Sequence, residues 1–166
     1  TLPLAPEDAA LVTPLVRFEP TVANYMDAAQ SLAYARQMDW SNEYVLRAIE
    51  VGSPMTTDFA QYARALAAAH KPQAAEVAFS RILAANPRST DAMMMLATLY
   101  ENDLDRHDDA VAMARRFVEA YPESEESWST LAFTYKKTDT PKYCEAKSKA
   151  YPDKPVAFWD YDRQCG

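Results

Sequence analysis

The sequence predicts an all-α fold of stacked antiparallel helix pairs, and three observations carry that expectation. The first is self-similarity. Reading back from Pro87 gives Phe59, Tyr62, Ala63, Leu66, Ala75, Phe79, Ile82 and Leu83. Reading back from Pro122 gives Met93, Leu96, Ala97, Tyr100, Ala110, Ala114, Phe117 and Val118 at the same offsets, with one extra residue between the two helices. A third copy opens with Trp128, Leu131, Ala132 and Tyr135. A period of about 34 residues is the mark of helix–turn–helix units, each covering its neighbour's apolar face. The second observation is the presence of only two glycines in 166 residues, which disfavours tight hairpins and phosphate-cradling loops. The third is where the prolines fall. Pro54, Pro72, Pro87, Pro122, Pro141, Pro152 and Pro155 sit at segment edges, where proline starts or stops a helix.

Residues 1–20 hold Pro3, Pro6, Pro14 and Pro20 without a helical period. They read as an extended arm, packed on the body through Leu11, Val12, Leu15, Val16 and Phe18 or else a free tail. Residues 21–55 read as a divergent helix pair capping the array. One helix spans 21–38, with Tyr25, Ala28, Ala29, Leu32 and Ala35 on one face. The other spans 41–51, with Ser41 as N-cap, Tyr44, Val45, Ala48, Ile49 and Val51 facing inward, and Gly52 with Pro54 as the stop. The array fills 56–166, within what is expected to be one domain. Unit 56–89 has helices Thr56–Ala69 and Gln73–Ala85 about the turn His70-Lys71-Pro72. Unit 90–124 has Asp91–Glu101 and Asp108–Ala120. Unit 125–152 has Glu125–Lys137, behind Ser124, and Pro141–Ala150, with Thr140 as cap. The tail 153–166, bearing Phe158, Trp159 and Tyr161, is expected to fold over the open end.

Over about 56–152 these residues resemble the tetratricopeptide repeat family. The family's early large residue falls on Phe59, Met93 and Trp128, and its leucine–small pair on Tyr62-Ala63, Leu96-Ala97 and Leu131-Ala132. The aromatic that follows is Tyr100 and Tyr135, with Leu66 departing in the first unit, and the small residue opening the second helix is Ala75 and Ala110. The resemblance implies a right-handed α–α superhelix whose first helices line a concave groove. It places Ala60, Arg64, Ala67, Ala68, Asp91, Met94, Thr98, Glu101, Asn102, Ser129, Phe133, Lys136 and Lys137 in that groove. It also implies a protein partner, held as a peptide segment or a helix. The family's carboxylate-clamp positions read Ala60/Arg64 and Met94/Thr98, which is not the Lys and Asn pattern a clamp needs.

Catalysis or metal binding requires converging donors, and the inventory is thin. His70 and His107 lie in different inter-helix turns, and no His-x-x-x-His, Cys-x-x-Cys or nucleophile elbow occurs. Five acids crowd Glu101–Asp109, yet the glycine and distal glutamate of an EF-type calcium loop are absent. The expectation is no catalytic residue, no metal and no cofactor. Cys144 and Cys165 are the only cysteines. Paired, they staple the tail to the last helix and imply a periplasmic or secreted protein; as free thiols they fit the cytoplasm.

A net charge of −7 and a pI near 4.8 argue against general nucleic-acid or anionic-membrane binding. The charge is uneven: basic and acidic residues number 3 and 7 in 1–55, 7 and 10 in 56–124, and 7 and 7 in 125–166. No apolar run is long enough to span a bilayer, and numbering from Thr1 suggests a processed or trimmed chain. The functional expectation is a non-enzymatic interaction scaffold, in an extracytoplasmic assembly if the cysteines pair. The alternative is a structural or self-associating accessory module of a larger enzyme, secretion or envelope complex, a homo-oligomer included.

Overall fold

The computed structural model describes residues 21–34, 38–52, 57–160 and 163–165, and among them every regular element is helical. Nine helices follow in order among the described residues: α1 Val22–Tyr34, α2 Met38–Val51, α3 Thr57–Ala68, α4 Pro72–Ala85, α5 Thr90–Asn102, α6 His107–Ala120, α7 Glu125–Tyr135, α8 Thr140–Ala150 and α9 Val156–Trp159. The expectations for the arm 1–20, Ala35, Pro54, Thr56 and Tyr161 lie outside the described residues. Two compact units meet inside α3, between Ala65 and Leu66.

In the first unit, Ala28 and Leu32 of α1 are buried against Trp40 and Tyr44 of α2. That packing corrects the expected start of α2. The helix begins at Met38, so Ser41 lies inside it, fully buried, rather than at its cap. The apolar stripe reaches back to Trp40, and covering it is worth more than one capping bond. Val51, expected to face inward, is 43% exposed at the end of the helix. Gly52 is buried, and a Cβ there would run into the Phe59 ring. The Tyr62 hydroxyl donates to the Val45 carbonyl at 3.1 Å, and burial pushes its pKa well above the ordinary phenol value.

In the second unit, α4 packs on α5, α5 on α6 and α7, α6 on α7, and α7 on α8. Alanine makes the close contacts. Ala75, Ala78, Ala92, Ala97, Ala110, Ala114 and Ala132 are all fully buried, beside the buried rings of Phe79 and Phe117. Where α4 places Phe79 and Ile82 inside, α6 places Ala114 and Phe117, so large and small residues trade places at roughly constant volume.

The turns that end successive pairs are bonded to each other. The Tyr121 hydroxyl donates to the Arg88 carbonyl at 2.6 Å, and the Arg88 guanidinium donates to the Ala120 carbonyl at 2.9 Å. The same guanidinium lies 4.8 Å over the Tyr121 ring. Lower down, Arg106 reaches both Glu76 at 2.8 Å and Asp109 at 2.6 Å. His107 Nδ1 meets Glu101 at 2.8 Å, and its Nε2 meets Thr138 Oγ1 at 3.3 Å. The acids of the 101–109 stretch therefore include two braces, Glu101 and Asp109.

Ser89 and Ser124 cap α5 and α7 by accepting the N–H of Ala92 and Ser127. The cap of α8 is Asp139 rather than Thr140. Its carboxylate accepts the Lys142 N–H at 3.0 Å and holds the Lys142 ammonium at 2.6 Å. A carboxylate answers the positive end of a helix better than a hydroxyl does. With glycine scarce, His70 and Asp105 take the left-handed backbone of the inter-helix turns, at φ 54° and 52°.

Beyond α8 the tail doubles back. The sulfurs of Cys144 and Cys165 are joined as a disulfide, with Cα atoms 5.5 Å apart, an ordinary span for that bond. The Asp160 carboxylate accepts the N–H of Gln164 at 2.9 Å and of Cys165 at 2.7 Å. Trp159 is buried, whereas Phe158 remains 48% exposed.

Two stability outcomes are expected. Cys144→Ser opens a loop of 21 residues and should lower the unfolding free energy by about 3 kcal/mol on the loop-entropy estimate, read by urea denaturation against the oxidised protein. His70→Gly relieves a left-handed residue whose side chain is exposed. It should raise stability by about 1 kcal/mol, and a lowered urea midpoint would contradict the assignment.

Candidate functional site

Two stripes with a spacing of four define a concavity of the second unit. Residues four apart share a face of a helix. On α7 the stripe is Glu125, Ser129 and Phe133; on α8 and its end it is Tyr143, Lys147 and Tyr151. With Lys136, Phe158 and Trp159 they line a cavity of about 610 Å³, a size typical of sites for small ligands or peptide side chains.

The walls are aromatic. Tyr151 and Phe158 meet edge to face with centroids 5.9 Å apart, and the Ser129 hydroxyl reaches the Tyr151 hydroxyl at 3.4 Å, tying the stripes together. Phe133 is 37% exposed and Phe158 more so, an unusual state for large apolar rings at a concave surface. The Lys147 ammonium lies 5.1 Å over the Tyr151 ring. Partial burial, followed by the nearby positive charge of Lys136, holds its pKa below the ordinary lysine value, with Glu125 opposing weakly. Trp159 closes one side, and its buried indole N–H has no acceptor among the described residues.

Ser129, Phe133 and Lys136, three of the expected groove residues, line this cavity together. The other expected groove residues do not line this cavity. Asp91, Met94, Thr98 and Glu101 run along α5, half-buried, with Asn102 exposed at its end. The Thr98 hydroxyl donates back to the Met94 carbonyl at 2.9 Å, and Glu101 is held by His107. Lys137 is exposed beyond α7, and Arg64 lies exposed in the first unit. Sequence reasoning missed Glu125, Tyr143, Lys147, Tyr151 and the role of the tail as a wall. The four-residue spacing of Tyr143, Lys147 and Tyr151 was a visible signal, but the resemblance placed only first-helix residues in the groove.

A smaller cavity of about 450 Å³ lies among His107, Asp108, Arg115, Tyr135, Asp139 and Lys142. The Arg115 guanidinium is already committed there, donating to the Tyr135 hydroxyl at 2.9 Å and 3.2 Å. No cluster of three metal-ligating side chains occurs among the described residues. No helix among them is long and apolar enough to cross a membrane.

Residues 66–132 match the family model described as tetratricopeptide repeat, so the stacked pairs of that stretch are tetratricopeptide repeats. No curated protein matches the sequence. Among solved structures, the chain is similar to YrrB, described as a TPR protein with an unusual peptide-binding site. That likeness has 18% identity over 93% of this chain and 87% of the other, at a TM-score of 0.59. It is also similar to MamA, at 16% identity, 85% and 83% coverage and a TM-score of 0.57. A MamA fragment running from residue 41 to the end, from Desulfovibrio magneticus RS-1, gives 12% identity, 95% and 88% coverage and 0.54. At such identities the likeness establishes the fold alone.

The charge arrangement around Lys147 makes its own prediction. A lysine whose pKa is depressed by folding carries a cost at neutral pH, which fades only as pH rises through the folded and then the unfolded pKa. Lys147→Met should therefore leave the melting temperature unchanged or raised at pH 7. In a lysine NMR titration Lys136→Met should move the Lys147 midpoint upward, and no movement would remove Lys136 as a cause.

Proposed function

Starting from a scaffold whose central stretch is tetratricopeptide repeats, we propose that the chain is a non-enzymatic interaction module that holds a segment of another protein on the faces of α5 and α7. The observation that carries this reading is the exposed Phe133 beside the aromatic cavity. A large ring left half-open in a concave wall gains most by receiving a partner's side chain. Met94, half-buried on α5, adds an adaptable thioether on the neighbouring helix. Among the described residues, the ionisable side chains of the cavity are one carboxylate, two ammonium groups and two phenols, a set without the nucleophile–base pairing that covalent catalysis uses. YrrB, whose description names a peptide-binding site, supports the reading by likeness of fold.

The cysteines support a reading of the compartment. A Cys144–Cys165 bond that anchors the tail fits an oxidising location, periplasmic or secreted, and an extracytoplasmic assembly as the place of work. A thiol titration of protein isolated from its native source checks this: two reactive thiols would place it in the cytoplasm instead. Self-association is the second reading, favoured by Val156 and Phe158 standing exposed together at the tail. Light scattering showing a strict monomer would dismiss it.

For the leading reading, peptides selected by display against the immobilised protein supply the probe. Phe133→Ala should weaken their binding by about tenfold or more, measured by calorimetry. Val77→Ala, which trims an equally exposed residue of α4, should leave binding unchanged. Selected peptides that bind Phe133→Ala and Met94→Ala as well as the original chain would sink the proposal.

A further inference from the structure

The wall that α9 gives the cavity docks with its apolar and polar groups at odds. Trp159 is buried, yet its indole N–H has no acceptor among the described residues. Asp160 is buried beside it, and among the described residues its carboxylate is met by backbone N–H groups alone, those of Gln164 and Cys165. A donor without an acceptor and a carboxylate without a counter-charge both favour the hydrated state. Phe158 stays 48% exposed and adds little burial of its own. Four residues are also too few for a helix to persist undocked.

A covalent bond acts against that reluctance. It runs from Cys144 on α8 to Cys165 beyond α9, so α9 is tied to the body at both of its ends. A segment tethered at both ends has few places to go when it lifts off, and its docked population is high. Freed at one end, the same segment has many more undocked conformations, and the docked population falls. Both cysteines are half-buried and pack at the edge of the alanine-rich core cluster rather than within it. A reductant can therefore approach them, and the body keeps its core when they part.

We propose that the Cys144–Cys165 bond is a redox latch on this cavity. Joined, it holds Phe158 and Trp159 in the wall; reduced, it lets them go. The reductant is a dithiol. One of its thiolates bonds to one cysteine sulfur and expels the other as a thiolate, which takes up a proton. The second thiolate of the reductant then displaces the remaining cysteine, and the reductant leaves as a disulfide. Two electrons and two protons pass to the cysteines, and the reverse exchange with an oxidised dithiol restores the wall. For its consequence, a weaker grip on the partner, the latch rests on the interaction reading above and adds a control to it.

Protein labelled with heavy nitrogen tests the latch by NMR, with and without dithiothreitol and with no ligand present. The Trp159 indole N–H is expected to exchange with solvent about tenfold or more faster once the bond is reduced. The Trp128 indole, which donates to the Pro122 carbonyl, should keep its resonance, as the sign that the body stays folded. Replacing dithiothreitol by its oxidised form should restore slow exchange. Cys144→Ser should behave as the reduced chain whether or not reductant is present. Display-selected peptides that depend on Phe133 should bind the reduced protein about tenfold more weakly than the oxidised. Unchanged Trp159 exchange after reduction, joint loss of the Trp128 and Trp159 resonances, or failure of the oxidised dithiol to restore slow exchange would each overturn the latch. So would equal peptide binding to the two forms. If no selected peptide depends on Phe133, the interaction reading fails, while the exchange rates still judge the latch by themselves.

Discussion

The second unit depends on how closely its helices approach. Two helices can lie with their axes about 8 Å apart only where no side chain larger than a methyl group stands between them. Ala97, Ala114, Ala132 and Ala146 fill that role with almost no exposure, in one cluster with Leu131, Tyr135 and Tyr143. A bulkier residue at any of these positions would push α5, α6, α7 or α8 outward and shift every contact that crosses between pairs. The reciprocal bonds between Arg88 and the Ala120–Tyr121 turn have the geometry they do because the pairs are stacked at this spacing. The proline-ended turns are thus both punctuation in the sequence and a brace between repeats.

The same spacing brings the α7 and α8 stripes face to face and leaves a cavity rather than a seam. Phe133 and Tyr151 border it from the two stripes, and Ser129 between them is small. The tail then supplies the missing wall. A four-residue helix is marginal alone, so α9 is held by tertiary anchors: buried Trp159, the two N–H groups on Asp160, and the Cys144–Cys165 bond. Whatever binds in the cavity therefore reads a surface built partly by the tail.

Much of the fold was legible. Alanine and large apolar residues at matched offsets predicted which side chains are buried in α4 to α7, because a repeated unit must bury the same face each time. Misreadings came where a local rule competed with packing. Ser41 looks like a cap, yet the helix runs through it because Trp40 belongs to the buried stripe. Thr140 and Asp139 are both capping residues, and the structure uses the charged one. At the candidate site, Ser129, Phe133 and Lys136 were among the groove residues the resemblance implied, whereas Lys147 and Tyr151 were not, because it drew groove residues from first helices alone.

What the sequence determined by itself is the period, and with it the helices, their order and their buried faces, since these follow from short-range spacing of apolar and small residues. What only tertiary structure decided is the end of the array. Beyond the α7–α8 pair the chain turns back, and Phe158 and Trp159 of α9 form a wall of the cavity that the pair borders. The result is a cavity walled by aromatic rings and lined by Lys136 and Lys147. No local pattern encodes that arrangement, because residues such as Ser129 and Tyr151 or Cys144 and Cys165 meet across more than twenty positions of chain. Only the folded path of the backbone brings them together.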